Sequence, residues 1–123
     1  MTRVICCGGR DFRDAEVVRA ALYSIIFPPG YPDTPEVDPR TITIVHGDAQ
    51  GADAMADCVA QLLGMHVERH PADWSKGRAA GPLRNQALAD SGADLVFAFP
   101  GNVGTEDMIV RARKAGIPVR RVP

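Results

Sequence analysis

Residues 100–107, PGNVGTED, combine groups that hold an anion with groups that can act on whatever that anion is attached to. Pro100, Gly101 and Gly104 shape a tight turn in which backbone N–H groups can approach a ligand without a Cβ in the way, and Thr105 adds a hydroxyl. Glu106 and Asp107 follow as catalytic candidates, since cleavage of a glycosidic bond passes through an oxocarbenium-like transition state that wants a carboxylate close by. Acids in the first turn of a helix are also favoured by its dipole alone, by about 0.3–1 kcal/mol each. Capping is the preferred reading for Glu106, while Asp107 is left evenly divided.

Two other stretches have the same character. In GGRD at 8–11, Gly8 and Gly9 free the backbone and Arg10 can clamp a phosphate through two parallel hydrogen bonds. Asp11 can accept from a ribose hydroxyl, act as a general base, or simply serve the turn. In HGDAQGAD at 46–53, Gly47 and Gly51 again open the backbone. His46 can donate to a phosphate or exchange a proton near neutral pH, or be satisfied by the loop. Asp53 contacts a sugar or stands as a helix-start acid.

Between residues 72 and 85 lie the lone tryptophan and three cations, Lys76, Arg78 and Arg84. Trp74 can stack on a base or cover the core, the second being preferred. Arg84 falls in a first helical turn, where the dipole disfavours a cation, so an external anion is its natural partner; Asn85 beside it joins the ligand-binding set. His66 and His70 share a face of a short strand, but without a third ligand they read as a surface pair. No metal site is expected.

The elements that must position these groups follow from hydrophobic periodicity. Apolar runs at 3–7, 41–45 and 94–99, with shorter ones at 66–70 and 119–122, read as strands. Amphipathic stretches from Asp14, at 52–63, at 82–91 and from Thr105, read as the cap of a helix burying Met108, Ile109, Ala112 and Ala115, alternate with them. Residues 27–40 hold five of the ten prolines and form a loop, either a flap or a packed insertion. Strands too apolar to face water require helices on both faces and hence a parallel sheet. The expectation is a single Rossmann-like α/β domain over 1–123, three-layered, with five parallel strands in the order 3-2-1-4-5.

That topology gathers the chemistry. All strands of a parallel sheet end at one edge, so the loops at 8–11, 46–53 and 100–107 share a rim, and the first and fourth strands flank the switch point where ligands bind. Each loop leads into a helix N-terminus, where N–H groups and the dipole favour an anion. The P-loop pattern GxxxxGK[ST] and the GxGxxG fingerprint are absent, which counts against Walker-type nucleotide hydrolysis and ordinary dinucleotide-dependent hydride transfer.

Together GGRDF at 8–12, HGDAQGAD at 46–53, ADW at 72–74, AAGPLRN at 79–85 and FPGNVGTED at 99–107 resemble the YspA-type members of the SLOG superfamily, Rossmann-like proteins of bacteria and their phages. The superfamily includes the LOG phosphoribohydrolases, molybdenum-cofactor carrier proteins and DprA. The resemblance implies a nucleotide-derived, ADP-ribose-like ligand in the rim crevice. LOG enzymes read PGGxGTxxE in the fourth-strand loop; here Asn102 replaces the second glycine and Met108 stands at the glutamate position. The cradle is kept without its usual carboxylate, so a sensor and a modest N-glycosidic hydrolase both stand, with no certain cofactor. Related folds pair through helices near the site, which implies a homodimer.

Composition supports this and limits the rivals. A net charge of −1, with 46% hydrophobic and 24% charged residues, makes anion binding a local property. A DprA-like single-stranded nucleic-acid module is one rival, short of a basic stripe with interleaved aromatics; a purely structural or interaction protein is the other. No run approaches the ~18 apolar residues of a spanning helix, and MTRVICCGG is too quickly polar for a signal peptide. Three cysteines without a CxxC pair read as small buried hydrophobes in a reducing cytoplasm.

Overall fold

In the computed structural model, which describes residues 1–28 and 36–123, strands β1 (Thr2–Cys7), β2 (Ile42–His46), β3 (His66–Arg69), β4 (Leu95–Ala98) and β5 (Val119–Arg121) alternate with helices α1 (Ala15–Ile26), α2 (Ala52–Leu62), α3 (Ala80–Ser91) and α4 (Val103–Lys114). The sheet runs β3-β2-β1-β4-β5, every pairing parallel. This is the expected order. Alternation along the central strand splits the core in two. Val4 and Cys6 face α1 and α2, packing with Val18, Leu22, Ile44, Ala56 and Phe99. Ile5 faces α3 and α4, packing with Val45, Leu88, Val96, Met108 and Ala112. The chain thus forms a three-layer Rossmann-like domain, and no helix among the described residues is long and apolar enough to cross a membrane.

Helix ends follow side-chain chemistry where they can. Asp14 caps α1 by accepting from the Val17 N–H at 3.3 Å. Asp38 similarly caps a 3₁₀ turn, Pro39–Thr41, that leads into β2, so the proline-rich segment ends in short regular structure where a loop was expected. Its 29–35 portion, with the flap-or-insertion question, lies outside the described residues, but Val37 packs against the core. A second 3₁₀ segment, Trp74–Ala79, precedes α3 where the sequence reads as loop, because Asp73 accepts from the Ser75 N–H and Gly77 breaks the turn at φ 67°. Helix α4 starts at Val103 with Asn102 as N-cap, not at Thr105. It ends one residue before Ala115, which is exposed instead of buried.

Behind the second rim loop, a polar cluster clamps β2, α2 and β3 together. Asp57 accepts from His46 Nε2 at 2.7 Å and from Arg69 Nε at 2.7 Å, and Gln61 donates to its other oxygen. Burial pushes the Asp57 carboxyl up, but these hydrogen bonds prevail and bring it down to about 2. The folded-state pKa is lower than the unfolded value near 3.9, so the stabilisation is full above that value and lost as pH falls toward 2. It amounts to at most about 2 kcal/mol after screening on the Arg69 side. Asp57→Asn is therefore expected to lower the urea midpoint clearly at pH 7 and hardly at all near pH 2. A gap that persists unchanged at low pH would contradict this assignment.

Candidate nucleotide site at the sheet rim

The C-terminal ends of β1, β2 and β4 meet as expected, and a cavity of about 360 Å³ opens between their loops and α3. Its walls include Gly8 and Arg10 from the first loop, Gly47, Ala49 and Asp53 from the second, and Gly104, Thr105 and Asp107 at the start of α4. Trp74, Arg78, Arg84 and Asn85 close the remaining side. Three arginines against two aspartates make this a locally cationic concavity in a weakly acidic chain.

The start of α4 leaves its backbone donors without side-chain partners. Asn102 makes no side-chain cap, so the first N–H groups of the helix stay unpaired by side chains. Thr105, only 5% exposed, has no side-chain hydrogen bond among the described residues, yet no buried polar side-chain atom is left without a partner there. Its hydroxyl must therefore open onto the cavity that it lines. Arg84 lines the same cavity with its guanidinium anchored: Nη1 donates to the Gly47 carbonyl at 2.6 Å and Nε to Asn85 Oδ1 at 3.0 Å, while Nη2 has no partner among the described residues. A Cβ at position 47 would strike that guanidinium, so Gly47 makes room for Arg84.

Asn85 is a hub. Its amide nitrogen donates to the Gly104 carbonyl at 3.2 Å and to Asp107 Oδ2 at 3.0 Å, while its oxygen accepts from Arg84. With its amide committed in this way, Asn85 orients its neighbours more than it presents a free group to a ligand. Arg111 Nε donates to the same Asp107 oxygen at 2.9 Å. Burial raises the Asp107 carboxyl, but the bonds from Arg111 and Asn85 outweigh it and hold the group below the usual carboxylate range. Asp53 goes the other way: burial raises it, although Oδ2 accepts from the Gly47 and Ala49 N–H groups at 3.1 and 3.2 Å. Asp53 thus ties the second loop to α2, and it also lines the cavity.

Several sequence candidates sit outside the cavity wall. Gly9, Gly51, Pro100 and Gly101 form the seam between loops: the Gly9 N–H donates to the Pro100 carbonyl at 2.8 Å and its own carbonyl accepts from the Ala52 N–H at 3.2 Å. His46 is buried with both ring nitrogens engaged, Nδ1 accepting from the Asp48 N–H at 2.9 Å, which leaves Nε2 to donate to Asp57. Glu106 pairs with Arg121 at 2.7 Å on the exposed side of α4. Asp11 is exposed and outside the wall.

Trp74 does not lid the core: it is 56% exposed, on the cavity wall, with the Arg10 guanidinium 5.3 Å from its ring centroid. Of the two other cations in its segment, Arg78 lines the cavity and Lys76 does not. Cys7 also faces the cavity, where burial above all pushes its thiol up to about 12, while Cys58 is exposed. Cys7, Asn102 and Val103 were missed as wall residues; the alternation that turns Cys6 into one core layer and Cys7 away from it was the available signal. His66 is exposed, His70 lies beyond β3 beside Glu68, and no metal-holding cluster occurs among the described residues.

The comparisons with known proteins concern the chain as a whole. The sequence model of the YspA, cpYpsA-related SLOG family matches residues 2–77, which carry the first two rim loops and Trp74. Gene 61 protein of Mycobacterium phage D29 is 39% identical over 127 aligned residues, spanning 97% of this chain and 94% of its own length. No solved structure matches. Family membership supports a nucleotide-related, Rossmann-like function and nothing finer. With the doubly wound sheet, the glycine seam and the matched span all in place, the chain belongs to the YspA, cpYpsA-related SLOG family.

Proposed function

We propose that the rim cavity binds a phosphate-bearing nucleotide derivative of the ADP-ribose kind, with the first turn of α4 as the phosphate seat. The observation that carries this reading is the Thr105 hydroxyl, without a side-chain partner among the described residues, opening onto the cavity beside the uncapped helix start, with an anchored Arg84 on the same cavity wall. A volume of about 360 Å³ lies within the range of small-molecule sites. Arg10 and Trp74 supply a cation–aromatic wall on which a base can stack.

Binding is the primary role. Met108 occupies the position where the resemblance to LOG enzymes implies a glutamate, and it is 1% exposed among core side chains, unable to carry charge or a proton. A slow N-glycosidic hydrolysis remains a second reading because one carboxylate, Asp107, is held ionised on the cavity wall. The nucleic-acid alternative loses ground, since the wall arginines line a small concavity instead of a strand-length groove.

Thermal-shift measurements with ADP-ribose, AMP, NAD and nucleoside monophosphates test the reading. Saturation near 100 times Kd stabilises a one-site protein by about 2.7 kcal/mol, a shift of several degrees in Tm. Product analysis of any hit separates sensor from hydrolase. Trp74 is the sole tryptophan, so stacking is expected to quench its emission, and Trp74→Ala to weaken a nucleotide more than ribose 5-phosphate. If none of these compounds shifts Tm, the reading is wrong.

A further inference from the structure

We infer that Asp107 makes the cavity selective for a ribose with free hydroxyls over a deoxyribose, an inference that rests on the nucleotide reading above. Asp107 lies one turn along α4 from Val103 and Gly104, on the same side of the helix. One turn rises about 5 Å, comparable with the reach from a 5′-phosphate at the helix start to its own sugar ring. The side chain is 27% exposed and lines the cavity.

What distinguishes this carboxylate is how it is held. Both of its protein contacts fall on one oxygen: Asn85 Nδ2 and Arg111 Nε donate to Oδ2 at 3.0 and 2.9 Å. Both donors are themselves fixed, Asn85 through the Gly104 carbonyl and Arg84, Arg111 through Gln86 Oε1 at 2.9 Å. The group cannot swing, and Oδ1 has no partner among the described residues. An ionised carboxylate only accepts hydrogen bonds, so Oδ1 recognises donors and repels a second phosphate. Of the parts of a nucleotide that reach one turn from the phosphate, the sugar hydroxyls supply such donors. Arg111 also offsets the repulsion between Asp107 and a phosphate at the helix start.

A site built around an acceptor discriminates strongly against analogues that lack its donor, because the buried acceptor is left unpaired. Titration calorimetry with AMP, 2′-deoxyAMP and 3′-deoxyAMP measures this directly. The parent is expected to bind at least one deoxy analogue about tenfold or more weakly than AMP, a smaller penalty than at a fully buried site. Asp107→Ala is expected to narrow that ratio to about threefold or less, a change that a merely structural role would not produce. Should D107A not fold, the same-sized D107N is read the same way. Equal affinities for all three nucleotides in the parent overturn the selectivity while leaving nucleotide binding standing. A ratio unchanged in the variant places the discrimination on another residue and overturns the role of Asp107. No binding by any of the three removes both readings.

Discussion

Gly51→Ala is expected to cost a large share of the fold's stability and lower its melting temperature steeply. Gly51 sits at φ 77°, ψ −123°, a region essentially closed to residues with a Cβ, at a cost of about 1–3 kcal/mol. A Cβ there would also stand 2.2 Å from the Gly9 carbonyl oxygen and 2.5 Å from that of Arg10. Neither is a flexible side chain, so the strain cannot be relieved by a rotamer change. The Gly9 carbonyl is moreover the acceptor for the Phe12 and Ala52 N–H groups, so displacing it loosens two loops at once. The combined loss is about 4 kcal/mol or more, against a total of 5–15 kcal/mol for a typical domain. Gly64→Ala is the matched control. Its φ is also positive, at 81°, but its nearest neighbour is the Pro39 side chain at 3.9 Å, so only about 1 kcal/mol is lost there. Urea and thermal melts of the two variants decide the matter: a G51A melt close to that of G64A would show that the seam yields.

Gly104→Asp is expected to abolish binding of ADP-ribose while the protein stays folded. A Cβ at 104 meets nothing within 4 Å, and the backbone there has no positive φ. Replacing a helical glycine recovers up to about 1 kcal/mol of propensity, and an acid in the first turn gains about 0.3–1 kcal/mol from the dipole. Tm should hold or rise. The same carboxylate would occupy the phosphate seat, where like charges in contact cost several kcal/mol, about a hundredfold or more in affinity. Gly104→Asn separates bulk from charge and should fall between parent and G104D. Parent-like affinity in a folded G104D would remove the α4 turn from the site.

The sheet order was legible because the strands are short apolar runs, too greasy to face water, and because each rim loop announces its turn with glycine. The start of α4 was not, since Asn102 and Thr105 are both good cap residues and only the backbone, with Asn102 at φ −124°, ψ −143°, decides between them. The Trp74–Ala79 segment was missed as structure because a 3₁₀ turn set by one aspartate and one positive-φ glycine carries no hydrophobic period. Residue types marked loops that the structure brings together around one cavity, but not which way their side chains point. Gly9 and Gly104 look alike in sequence, yet one lies in the loop seam and the other in open cavity. His46 looks reactive and is locked behind the loop, whereas Asn102 looks incidental and lines the cavity.

The bonding of one residue's backbone, the N–H and carbonyl of Gly9, to the chain at Pro100, Ala52 and Phe12 bears on how such a protein can diversify. Loop lengths around that keystone are fixed, because inserting or removing one residue in any of the spokes would pull the hub apart. Side chains on the cavity wall beyond it, among them Arg10, Trp74 and Asn102, are free of that constraint. New ligand preferences in relatives should therefore arise by exchanging these spoke-tip side chains over an unchanging hub, not by growing new loops.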